Sequence, residues 1–235
     1  NTIGQVVADN YKTASVFKAY GVDFCCRGNR TIQEVCDSNN LDTEQLIHDI
    51  NQILNTDLSK SEDFKSWPVD LLVDYIEKKH HSYVENKISE IKPFLSKIVQ
   101  VHGKQNPELH EIEKLFLESA GELTTHMKKE EMILFPFIRK LAEASKHGYK
   151  LSRPNFNTIE NPVTMMKQEH DDEGVRFRKI VELSDNYCPP ANACNTYKVT
   201  FALLREFEED LHLHIHLENN ILFPQAIDLE TNWVA

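Results

Sequence analysis

Apolar positions along this chain recur at helical spacing, and strand-like alternation is scarce. In the first part, Leu46, Ile47, Ile50, Ile53 and Leu54 draw one stripe along Thr43–Leu54, with Val6, Val7, Val16 and Phe17 placed to meet it. Thr31-Ile-Gln-Glu34 reads as a capping box, Asp42 as the cap of the next helix, and Gly21 as a stop after Thr13–Tyr20. Residues 1–56 are therefore expected to form a small helical domain. Its core is thin, so docking on another surface is expected. Residues 57–67 are polar and charged and predict a linker that lets the first unit swing.

Residues 68–235 predict four long helices. The first starts at Trp67-Pro68 and runs towards Val101, with Pro93 expected to bend it. Asn106-Pro107 and Asn161-Pro162 share an Asn-cap, Pro-first grammar and open the second and third. The fourth runs from about Cys194 past Phe223, and residues 146–160 make the one long connection. The fold class that follows is all-α: an antiparallel four-helix bundle with a small helical N-terminal domain.

One phrase is written twice. Glu122-Leu-Thr-Thr-His126-Met-Lys-Lys-Glu130-Glu-Met-Ile133-Leu-Phe-Pro136 returns as Asp210-Leu-His-Leu-His214-Ile-His-Leu-Glu218-Asn-Asn-Ile221-Leu-Phe-Pro224, 88 residues later (214 − 126). Acid, His and Glu at four-residue intervals share one helix face. A salt-bridge stripe would explain a single copy; two copies with the same apolar exit point to paired metal ligands. His80 lies 46 residues before His126, and His170 lies 44 before His214. Two helical hairpins would thus bring His80, His126, His170 and His214 together with Glu130 and Glu218. That donor set suits two iron ions bridged by the two carboxylates. Glu122 and Asp210, one turn before each repeated His, are expected to accept an imidazole N–H. Glu77 and Glu173 are the competing carboxylates. Pro136 and Pro224 predict a kink or tightened turn below the site.

Helical phase sets other histidines aside. His81, His212 and His216 fall on other faces and read as solvent or interface residues. His102 is nearly in phase with His80 but roughly 33 Å along the axis, too far to share a metal. Cys25 and Cys26, beside Arg27 and near the helix start at Thr31, are expected to have lowered pKa values and to bind iron or exchange disulfides. Cys188 and Cys194 flank Pro189-Pro190 and read as structural.

Composition narrows the setting. A net charge of −11 argues against a nucleic-acid surface. No apolar run approaches the ~18 residues needed to span a bilayer. Five cysteines, two of them adjacent, do not suit a disulfide framework, so a cytoplasmic location is expected.

On these residues the chain resembles the repair-of-iron-centres (RIC) family of cytoplasmic bacterial di-iron proteins. Asp23-Phe24-Cys25-Cys26 is similar to the family's N-terminal signature. The two H-x-x-x-E pairs, His170 in Gln-Glu-His-Asp, and His80 match the hemerythrin-like ligand pattern. Arg27-Gly28-Asn29 departs from the Gly-Gly that often follows the cysteine pair. The resemblance implies two non-haem iron ions with an oxo or hydroxo bridge. It implies restoration of iron–sulfur clusters damaged by nitric oxide or peroxide, with apo or damaged iron–sulfur proteins as partners and iron as the supplied species. It leaves open a binder or sensor of O2 or NO, an NO-reducing enzyme, and a homodimer. Cys25 and Cys26 are expected to act outside the ligand set, as a thiol relay.

Overall fold

The computed structural model describes residues 1–55 and 62–235; residues 57–61 of the expected linker lie outside the described residues. The fold is an all-α helical bundle with a small helical N-terminal part. Among the described residues the only β pairing is two isolated bridges, Thr2 with Thr31 and Leu151 with Val234, and no helix is long and apolar enough to cross a membrane.

The N-terminal helices are α1 (Ile3–Asp9), α2 (Thr13–Ala19), α3 (Ile32–Asn39) and α4 (Thr43–Leu54). Thr31 caps α3 through a complete capping box with Glu34, and Asp42 accepts from the amides of Glu44 and Gln45 at the start of α4. Gly21 has φ +67°, a left-handed turn that glycine adopts without a Cβ clash. The predicted stripe is only half used: Leu46 and Ile50 are buried, whereas Ile47 and Leu54 are 43% and 41% exposed.

The first long helical run is α5 (Val69–Tyr75), a π-helical stretch Ile76–His81, and α6 (Ser82–His102), with Pro93 inside α6. The second is α7 (Glu108–Lys129), a π stretch Glu130–Leu134, and α8 (Phe135–His147). It starts one residue later than expected: Pro107 holds the cap position, without a side-chain cap. Then come α9 (Glu160–Leu183), α10 (Asn195–Leu217), a π stretch Glu218–Leu222, and α11 (Phe223–Trp233). Where a kink or tightened turn was expected at Pro136 and Pro224, the preceding turn is widened into a π stretch. Proline has no N–H to give its i−4 carbonyl and its ring crowds that carbonyl, so the turn opens to i→i+5 bonding.

The chain divides into two compact units. One holds Asp74–Phe137 and Asn161–His214. Its core stacks Phe177 on Phe207 at 5.7 Å, with the Phe116 ring edge-on to Phe207 at 5.5 Å. Five residues join α6 to α7, which makes these two neighbours antiparallel. The other unit holds Asn1–Val73, Ile138–Glu160 and Ile215–Ala235. In it α1 packs on the π stretch Glu218–Leu222. Ile3, Val7 and Phe17 are fully buried, and Lys65 reaches Asp9 at 2.6 Å.

Candidate metal centre

Within the unit holding Asp74–Phe137 and Asn161–His214, two sets of buried side chains share one carboxylate. Ligand atoms of His81, Glu130 and His214 lie within 4.8 Å of one another, and so do those of His126, Glu130 and His170. Glu130 is fully buried, with Oε2 3.4 Å from both His81 Nε2 and His126 Nε2. One set draws on the π stretches Ile76–His81 and Glu130–Leu134 and on α10, the other on α7, the same Glu130–Leu134 stretch and α9. Glu218 stands one turn beyond His214 on the same continuous helix and is also fully buried.

The protonation pattern follows from the outer partners. His126 Nδ1 is 2.7 Å from Glu169, and His81 Nδ1 is 3.0 Å from Glu131. A carboxylate only accepts, so in each ring Nδ1 carries a hydrogen and Nε2 is the nitrogen turned towards Glu130. Glu169 also receives Lys129; His126 and Lys129 together hold its carboxyl down to about 2. Burial works to raise Glu131, but hydrogen bonds from Lys128 and His81 outweigh it and leave the group lowered. Both acceptors are therefore ionised at neutral pH, the state that orients an imidazole towards a metal.

Does the donor set fit a metal? His126 Nε2 and His170 Nε2 face each other at 3.1 Å, and the Glu130 carboxyl stands beside His126 Nε2 and one further ring nitrogen, His81 Nε2. A neutral core would not gather lone pairs and a carboxylate at one point, because burying a carboxylate is costly unless a cation compensates it. Imidazole and carboxylate suit divalent first-row metals. The cluster is a candidate metal-binding site.

The expected residues are placed as follows. Of the expected ligands, His126 and His170 gather with Glu130 in one set, and His214 gathers with Glu130 in the other. His80 does not join them. It is fully buried with Nδ1 3.1 Å from both oxygens of Asp210, and its ring stacks on His214 at 5.5 Å. His81, set aside on helical phase, takes the inward place. The cause is the π stretch, which puts an extra residue in the turn and advances the register. Asp210 thus serves His80 instead of His214. Glu122 binds Arg176 at 2.8 Å, while His126 finds its acceptor across on α9, because its Nδ1 faces the neighbouring helix. The competing Glu77 and Glu173 do not enter either set; Glu173 bonds Ser119 at 2.7 Å and pairs with Arg176. Its carboxyl is raised by burial, which those partners only partly offset. Sequence reasoning missed His81, Glu131 and Glu169. The signal was adjacency: each acceptor sits next to a ligand candidate, as Glu130-Glu131 and Glu169-His170.

A cavity of about 430 Å³ opens beside this site, lined by Leu117, Leu123, Lys129 and Glu169 and reaching His126 and His170.

The cysteine turn belongs to the other unit. Asp23 Oδ1 accepts from the Cys26 amide at 3.0 Å, the two sulfurs are 3.8 Å apart, and the three side chains form a compact set. Asn219 and Asn220 donate to the Cys25 carbonyl at 3.3 and 3.4 Å. His216 packs on Tyr11 and Phe24 at 5.8 and 5.9 Å, and burial pushes it down to about 3, so it is neutral. The lowered thiol expected here is not found at Cys25. The hydrogen bond with Cys26, burial and the nearby Asp23 push that thiol well up, and the charge of Arg27 does not reverse it.

Two family models match. The hemerythrin HHE cation-binding domain covers residues 72–226, and ScdA_N, described as a domain of unknown function, covers residues 1–54. The chain is 28% identical over 221 residues to the iron-sulfur cluster repair protein ScdA of Staphylococcus haemolyticus (strain JCSC1435), covering 94% of this chain and 95% of that protein. It is 30% identical over 226 residues to the iron-sulfur cluster repair protein YtfE of Musicola paradisiaca (strain Ech703), covering 96% of each. To YtfE of Yersinia pseudotuberculosis serotype IB (strain PB1/+) it is 32% identical over 216 residues, covering 92% and 91%.

Proposed function

We propose that this chain, which belongs to the repair-of-iron-centres family of hemerythrin-like proteins, holds two iron ions and restores damaged iron–sulfur clusters by supplying iron. The observation that carries the reading is the sharing of Glu130 between two buried histidine sets. In this reading His81, His126, His170 and His214 would hold the ions together with the Glu130 carboxylate. Glu218, the second copy's counterpart of Glu130, would supply the other carboxylate. When bound, the iron pair supplies open positions for small oxygen or nitrogen species and is itself the cargo. Glu131 and Glu169 keep the rings oriented.

Cys25 and Cys26 act outside the ligand set, as a thiol relay towards an apo or damaged iron–sulfur protein. Support comes from Asn219, which neighbours Glu218 in sequence and donates to the Cys25 carbonyl. Cys25 is buried and Cys26 only partly so, and Cys26 is therefore the sulfur that leads in this reading.

The test is iron transfer. Chain loaded with radiolabelled iron is mixed with an apo iron–sulfur protein, and label is followed into the acceptor's cluster. Transfer faster than spontaneous release supports supply; label that stays on the chain refutes it. A second reading, binding of O2 or NO without donation, draws on the cavity beside His126 and His170. It predicts reversible diatomic binding with no loss of iron.

A further inference from the structure

A second chemical pair stands at the far end of α6 from the centre. His102 is the last residue of α6, 21 positions and roughly 30 Å of helix from His81. Its Nε2 lies 3.2 Å from Cys194 Sγ. Cys194 occupies the cap position of α10, its carbonyl accepting from Lys198, and the amides of Tyr197 and Thr196 face its sulfur. The loop that delivers it is built to hold. Asp185, Asn186 and Tyr187 all have positive φ, Arg205 donates to the Asn186 carbonyl at 2.6 Å, and Ala193 closes a turn onto Pro190. His102 is fixed in turn by its edge on the Tyr197 ring at 5.4 Å. The sulfur is exposed. A thiol, a base within hydrogen-bond reach and a helix start that favours negative charge are the parts of an activated nucleophile.

We propose that Cys194 and His102 form a reactive thiol site that exchanges with low-molecular-weight disulfides, leaving the chain S-thiolated at Cys194. The thiol proton passes to His102 Nε2. The thiolate attacks one sulfur of the disulfide, a new S–S bond forms and the old one breaks. The departing thiolate carries off the electron pair and takes the proton back from His102. No outside oxidant is needed, since the disulfide is itself reduced. The tyrosine amide and His102 bring the thiol down to about 7, consistent with this role.

The expected gain is modest. Against an ordinary cysteine near 8.5, the thiolate fraction at pH 7 rises about fifteen-fold, while the weaker nucleophile gives back about five-fold, leaving about three-fold. The experiment treats the full chain with oxidised glutathione and maps modified cysteines by peptide mass spectrometry. Cys194 should react about three-fold faster in the folded chain than in the same chain unfolded in urea. His102→Phe, which keeps the ring on Tyr197 but takes no proton, should erase that advantage while circular dichroism stays unchanged. If that variant unfolds, His102→Gln is read the same way. A folded-to-unfolded ratio of one or below, or a His102 variant that keeps the advantage, overturns the proposal.

Discussion

Replacing His81 and replacing its neighbour His80 should have opposite consequences, although both rings are buried. His81→Ala removes a ring nitrogen from the set shared with Glu130 and His214. Mutating a partner outside a ligand set typically lowers metal affinity 10- to 100-fold, about 1.4–2.7 kcal/mol. Losing a donor inside the set should exceed that, so affinity at this position should fall by more than about 100-fold. His80→Phe keeps a flat ring against His214 and removes the nitrogen that meets Asp210, whose side chain is 14% exposed. Leaving that carboxylate without its partner costs about 1–3 kcal/mol, roughly 2–12 °C in Tm for a chain of this size. Metal stoichiometry should not change. The assay is anaerobic ferrous titration against a competing chromogenic chelator, with a thermal melt run on the metal-free proteins. An iron-deficient His80→Phe beside an iron-replete His81→Ala would refute the register argument.

Glu130→Ala should lose bound metal yet keep its helical circular dichroism, because the buried Leu134 and Phe135 still pack; full metal retention would show that Glu130 is not a ligand. Gly28→Ala places a Cβ 2.4 Å from the Phe24 carbonyl and 2.9 Å from Asn220 Oδ1. It should cost about 1–3 kcal/mol and expose the cysteine turn to limited proteolysis, and an unchanged digest would count against that close approach. Thr31→Ala should lower stability to urea by about 1 kcal/mol through loss of the α3 cap. The Thr31 amide holds the Glu34 carboxyl below its ordinary value, so Glu34 stabilises above the unfolded carboxylate range and that contribution disappears as pH falls through the lower folded value. Glu34→Gln should therefore destabilise at pH 7 and become neutral in acid, as read from urea midpoints across pH. Cys25→Ser with Cys26→Ser should keep full iron content and lose cluster repair, and loss of iron in step would make the cysteines ligands.

Local rules made much of the chain legible. Caps at Thr31 and Asp42, the stop at Gly21 and the 3.6-residue stripes depend only on near neighbours, so helices and their order could be read directly. The repeated phrase marked His126, Glu130 and His214 because four-residue spacing on a helix is a local fact, and the matched offset singled out His170. What stayed hidden depends on register and on other helices. The 46-residue offset from His126 chose His80, and phase counted at a constant 100° per residue set His81 aside; the π stretch Ile76–His81 adds a residue to the turn and brings His81 inward, and nothing local in the sequence announces it. The imidazole acceptors Glu131 and Glu169 come from positions facing a neighbouring helix, so their partners exist only after packing. The same holds for Cys25. Its neighbour Arg27 suggested a lowered thiol, but burial, Cys26 and Asp23 decide the outcome. Cys194 moves the other way, since the histidine at its sulfur is 92 residues distant in sequence and only the fold closes the gap.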